Sequence, residues 1–130
     1  MLLTKTILNE GPTKIVVHFY LEGQADDNEK VNEVLLDPFV DFSPQTRTLK
    51  PAITQIWSSL SWFDLLLKFD DNAPQPAWVI TRDSGNYHDF RYLGGLKDRS
   101  NLDGEGKIYF STNGFHIGSI GTFVVEFKKD

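Results

Sequence analysis

Few residues in this chain could do chemistry, and their spacing decides against most of it. Arg99-Ser100-Asn101-Leu102-Asp103-Gly104 imitates a calcium-binding loop at its Asn, Asp and Gly. Such a loop needs an oxygen ligand at its first position and a bidentate Glu at its twelfth. Here those positions hold Arg99 and Phe110, and an arginine there repels a cation. His18, His88 and His116 lie far apart, with no pair at ligand spacing. Gly118-Ser119-Ile120-Gly121 precedes a strand, whereas a nucleophile elbow joins a strand to a helix. Gly94-Gly95 and Gly104-Glu105-Gly106 are followed by neither Lys-Ser/Thr nor a helix start, so they read as turns or bulges rather than phosphate loops. The adjacent carboxylates Asp26/Asp27 and Asp70/Asp71 sit in polar stretches and read as solvated loop charge. No catalytic residue, metal ligand or cofactor site is expected.

Aromatic density is what remains. The chain holds ten Phe, three Trp and four Tyr, and Trp57, Trp62, Phe63, Phe69, Trp78, Tyr87, Phe90 and Tyr92 crowd its middle. Most should fill a core; any left outside could stack on sugar faces or anchor a protein contact.

The elements that must position these rings repeat with a period of two. Ile15, Val17, Phe19 and Leu21 share one face of Lys14–Leu21, while Val16, His18 and Tyr20 share the other. Within Trp62–Phe69, Phe63, Leu65, Leu67 and Phe69 alternate with Trp62, Asp64, Leu66 and Lys68. Phe123, Val125 and Phe127 alternate with Val124, Glu126 and Lys128. Ala52–Trp57, Ala77–Arg82, Tyr87–Tyr92 and Lys107–Thr112 are shorter strand candidates. Asp83-Ser84-Gly85-Asn86 and Asn113-Gly114 have hairpin chemistry, and Asp70–Pro76 reads as a rigid connecting loop. Asp26–Leu36 has Val31, Val34 and Leu35 at helical spacing, but an extended course broken at Pro38 fits its β-rich surroundings better.

About eight strands with no long helix predict an all-β fold: one domain over residues 1–130, an antiparallel β-sandwich or barrel of jelly-roll or Greek-key type. Residues 1–13 read as an extended N-terminal arm. A chain of 130 residues buries roughly two-thirds of its unfolded surface and can fold without staples. The absence of Cys excludes disulfides and thiolate sites. A net charge of −5 disfavours nucleic acid as a partner. Met1–Leu8 carries a charge within a short apolar stretch and no cleavage motif, so neither a signal peptide nor a membrane partner is expected.

Several short stretches resemble small virion structural proteins of tailed bacteriophages, especially a group from phages of aquatic bacteria. They are Thr4-Lys5-Thr6-Ile7-Leu8 running into Thr13-Lys14-Ile15-Val16-Val17, Trp78-Val79-Ile80-Thr81-Arg82-Asp83, Asp103-Gly104-Glu105-Gly106-Lys107-Ile108, and Gly121-Thr122-Phe123-Val124-Val125-Glu126-Phe127-Lys128-Lys129. In that group the stretch after the first strand is shorter and less acidic than Gly23–Asp41 here. The resemblance implies a non-enzymatic virion component assembled in the host cytoplasm. It would be a capsid decoration (cement) protein binding the major capsid protein, or a neck or tail component binding another virion protein. It would be present as a homo-oligomer or as many copies in a symmetric assembly.

Residues 1–65 carry 5 basic and 9 acidic groups and residues 66–130 carry 8 and 9, so the first half is the one suited to a basic neighbour. Leu3, Ile7, His18, Tyr20, Phe39, Phe42 and Trp62 are the candidate contact residues. A rival reading is a carbohydrate-binding module with a platform drawn from Trp57, Trp62, Trp78 and Tyr87. A small hydrolase on a jelly-roll scaffold ranks last, because it would need clustered His and carboxylates.

Overall fold

The computed structural model describes residues 1–24, 32–48, 50–69, 76–82, 87–97 and 106–129. Asp26/Asp27, the Asp70/Asp71 loop, the turn 83–86 and the calcium-like stretch up to residue 105 lie outside them. The described residues form nine strands: β1 (Leu2–Glu10), β2 (Lys14–Glu22), β3 (Asn32–Leu36), β4 (Ala52–Ser61), β5 (Asp64–Lys68), β6 (Pro76–Ile80), β7 (Tyr87–Asp89), β8 (Ile108–Asn113) and β9 (Ile120–Lys128). One four-residue helix, α1 (Pro38–Asp41), follows β3. Asp37 caps it by accepting a hydrogen bond from the Phe39 N–H, and Pro38 opens its first turn, so the extended course does break at Pro38.

All pairings are antiparallel and fall into two sheets, in the orders β1-β2-β9-β4-β7 and β3-β8-β5-β6. The pairs β2·β9, β3·β8, β4·β7 and β5·β6 are the rungs of one long hairpin whose tip is the β5–β6 connection. Rolling that hairpin sets β9 beside β4 in one sheet and β8 beside β5 in the other. This is a jelly roll, with β1 added outside β2. The sheets face each other as a sandwich and do not close into a barrel.

The period-two pattern places the core. Ile15, Val17, Phe19 and Leu21 are all fully buried, as are Phe63, Leu65, Leu67, Phe110, Val125 and Phe127. Phe19 stacks on Phe123 at 5.1 Å and 7°, and Phe110 meets both edge-on at 5.6 and 5.5 Å. These rings come from both sheets and close the middle of the sandwich.

Three expectations need correction. Residues 2–10 are not a free arm, because β1 pairs with β2 from Leu2↔Glu22 to Glu10↔Ile15, with a bulge between Ile7 and Asn9. Asn113-Gly114 makes a turn, with Gly114 at φ +80°, but not a hairpin. β8 pairs with β3 and β5, whereas β9 pairs with β2 and β4 in the other sheet. The strands flanking 83–86 also separate, β6 pairing with β5 and β7 with β4. The residues that turn a hairpin also turn a corner between sheets, and only long-range partners distinguish the two.

Candidate functional site

Phenylalanine and the other aromatics part company. Eight of the ten Phe are buried, while none of the three Trp is. Two of the exposed rings meet on the outer face of the five-stranded sheet. Trp57 of β4 is in register with Val124 of β9 on one side and Tyr87 of β7 on the other, so all three point the same way. The Trp57 and Tyr87 rings lie 5.5 Å apart, tilted by 34°, with 39% and 44% of their surface exposed. They border an open depression of about 300 Å³ lined by Trp57, Ser58, Ser59, Tyr87, Thr122, Phe123 and Val124, none of them charged.

A polar network fixes this edge of the sheet. The Tyr87 hydroxyl donates to Gln55 Oε1 at 2.6 Å, and Gln55 Nε2 donates to Glu126 Oε1 at 2.9 Å. The Thr54 hydroxyl lies 2.9 Å from the same Glu126 oxygen. A bulge between Ile53 and Gln55 in the β4–β9 ladder lets both neighbours reach Glu126. Beside Gln55, Asp89 takes Arg91 Nε and Nη2 at 2.9 Å each. That guanidinium holds the Asp89 carboxyl down at about 2.

Across β9, His18 Nε2 and the Thr122 hydroxyl share a 2.6 Å hydrogen bond. Tyr20 donates to Glu22 at 3.2 Å, and partial desolvation together with that carboxylate raises the phenol above its ordinary value. His18 and Tyr20 thus lie half-buried on the same outer face as Trp57 and Tyr87.

A second group of exposed rings and aliphatics gathers at one end of the sandwich. The chain passes from Ser61 of β4 to Asp64 of β5 in the opposite sheet through only Trp62 and Phe63. Phe63 enters the core edge-on to Phe115 at 5.1 Å. Trp62 is thereby turned outward at φ +72°, alone among the described non-glycine residues in that region. Its exposure of 59% comes from this corner and not from strand alternation, as the sequence pattern implied. The indole stacks on His116 at 5.9 Å and 12°. Ile117 and Ile120 are exposed beside it, while Leu2, in the same cross-strand row as Ile120, is separated from it by Glu22. Arg82 ties the corner to its neighbours through Asp64 and the Asn113 carbonyl, and it lowers the Asp64 pKa.

The other expected contact residues do not join either group. Phe42 is buried, with the Lys129 ammonium 5.0 Å above its ring, so it is a core residue and not a surface contact. Leu3 is half-buried and packs on the core from the inner side of β1, which turns it away from the outer face. Ile7 is exposed on that inner side at the sheet's edge. Phe39 is exposed on α1 under the Arg47 guanidinium, 4.8 Å from its ring centre. Of the other proposed platform rings, Trp78 stands on the four-stranded sheet, edge-on to Phe90 at 4.9 Å, apart from Trp57 and Tyr87.

What the linear pattern missed is the floor of the depression. Val124 was legible as an outward position, but only the β4–β9 pairing sets Trp57 across from it and Ser59 across from Thr122. Among the described residues no three His, Cys, Asp or Glu side chains could hold a metal ion, and no helix is long and apolar enough to cross a membrane. No protein-family model, curated protein or solved structure matches the chain.

Proposed function

We propose that this chain is a virion structural protein of a tailed bacteriophage, most specifically a capsid decoration protein that binds and stabilises the capsid lattice. The observation that carries the reading is the apolar end of the jelly roll, where Trp62, Ile117 and Ile120 are held outward. Trp62 is kept there by a two-residue corner, so the surface is built into the fold.

The work of such a protein is mechanical. Burying the exposed part of these three large apolar side chains gains about 1 kcal/mol each, or about 3 kcal/mol together. Losing the free motion of a protein costs at least ~4 kcal/mol. A single copy docked by this end alone would therefore hold weakly. Decoration requires further contacts or several linked copies, which is what a homo-oligomer seated on a symmetric capsid provides. Assembly in the host cytoplasm suits a chain without cysteine, which packs without oxidation.

Quantitative mass spectrometry of purified particles tests the reading. A copy number comparable with that of the major capsid protein supports decoration. Copies sufficient for only one ring move the protein to the neck or tail. Absence from particles overturns the virion assignment.

A further inference from the structure

The depression beside Trp57 and Tyr87 shares no residue with the docking end, although Thr122 and Ile120 are two apart on one face of β9, and it is built differently. Its lining offers two aromatic faces, an aliphatic floor at Val124 and the hydroxyls of Ser59 and Thr122, with no charged group. Its volume of about 300 Å³ suits one or two sugar rings and is too small to seat a protein element. Tyr87 is pinned through its hydroxyl to Gln55, and Gln55 in turn to Glu126, so the ring is oriented before anything binds. The carboxylates in the adjoining row are already engaged, Glu126 by Gln55 and Asp89 by Arg91. Arg91 neutralises Asp89, so the net negative charge of that row is that of Glu126, which would repel an anion on a chain of net charge −5.

We propose that the outer face of the five-stranded sheet carries a binding site for a neutral saccharide, seated on Trp57 and Tyr87. A pyranose presents C–H groups on its faces and hydroxyls around its rim. The faces match the two rings and Val124, and the rim meets Ser59 and Thr122. Lacking charge, the sugar incurs no repulsion from Glu126. On a particle surface such a site would hold the virion to glycans, with many weak copies acting together.

The test is saturation-transfer NMR with methyl glucoside, methyl galactoside, N-acetylglucosamine, their β-linked disaccharides and glucuronic acid, each added to the full chain. Saturation should reach the ring C–H protons of at least one neutral sugar and be weaker for glucuronic acid. Trp57→Ala should weaken binding roughly tenfold or more, and Trp57→Phe by less, because a smaller ring still stacks. Val79→Ser, on the opposite sheet, should leave binding unchanged, and thermal unfolding of each variant reports whether it folds. If Trp57→Ala fails to fold, Trp57→Phe carries the comparison. No transfer to any neutral sugar overturns the proposal, as does binding that survives loss of the Trp57 ring. If no sugar binds and Trp57 variants instead lower attachment to particles, the face is a protein contact and the proposal is overturned. Copy number in particles is read separately, so the virion reading and this one fail independently.

Discussion

Replacing Gly121 by alanine sets two opposed effects against each other, and the structure says which wins. Gly121 is a β9 residue outside the positive-φ region, so its backbone accepts alanine. Taken alone, removing a glycine from a strand would stabilise the fold by roughly 0.5–1 kcal/mol. An added Cβ, however, would lie 2.4 Å from Phe63 Cζ and 2.7 Å from Cε1, with Leu60 Cδ2 at 3.2 Å. Ordinary carbon contacts are ~3.5–4.0 Å, so the ring would have to retreat by about 1 Å. Phe63 is fully buried and meets Phe115 edge-on at 5.1 Å, which leaves it little room to move. Overpacking of this kind costs about 1–3 kcal/mol. The net expectation is a loss of about 1–2 kcal/mol, or roughly 3–10 °C in melting temperature for a chain of this length. Urea unfolding of Gly121→Ala, Phe63→Leu and the double variant checks it. With the ring gone, Gly121→Ala should become neutral or stabilising, a coupling of about 2 kcal/mol. Equal costs in both backgrounds, or a stabilised single variant, would refute the reasoning.

Three further outcomes follow from other contacts. Lys129 Nζ, on a side chain only 2% exposed, is held by Glu10 Oε1 at 3.0 Å and Thr46 Oγ1 at 2.7 Å. Glu10→Gln strands that ammonium and should cost about 2–4 kcal/mol in chemical unfolding. Lys129→Met should cost less, about 1 kcal/mol, because Glu10 reaches water and keeps the Ser43 N–H. Acid should weaken the fold, because Glu10, Asp64 and Asp89 all titrate below their ordinary 4.5, 3.8 and 3.8. The unfolded chain then binds more protons, so the stabilisation present above about 4.5 fades as pH falls through the folded values, down to about 2 for Asp89. Unfolding midpoints measured across that range should fall, and Asp89→Asn should flatten the lower part of the curve. Finally, Trp62→Gly should leave stability within about 1 kcal/mol of the parent. It relieves a positive φ worth ~1–2 kcal/mol and loses a stack and some chain entropy of similar size. Phe63→Ala, one residue on, should cost about 3–5 kcal/mol, and urea unfolding of the two variants checks the contrast.

The contrast between those neighbours shows what could be read in advance. Alternation along Lys14–Leu21 and Phe123–Lys128 named the buried faces, because side-chain direction in a strand depends only on parity. The same parity put His18 and Tyr20 on the outer face, where they lie. At Trp62 it gave the right direction for another reason, since that residue turns outward at a corner between two sheets. Phe42 and Leu3, named as contact candidates without such a pattern, are covered by packing against the rest of the fold. Trp57 and Tyr87 could each be named as exposed-ring candidates, yet 30 residues separate them and nothing local says that they touch.

The sequence by itself determined an all-β chain with a phenylalanine-rich core, since hydrophobic alternation and turn chemistry act over a few residues at a time. Only the tertiary structure decided sheet membership. It turned Asn113-Gly114 into a corner, bound β1 into the sheet, and set Trp57 between Val124 and Tyr87. Strand pairing is a contest among distant segments for the same backbone hydrogen bonds. Its outcome depends on the packing of all nine strands together, and no single stretch of residues contains it.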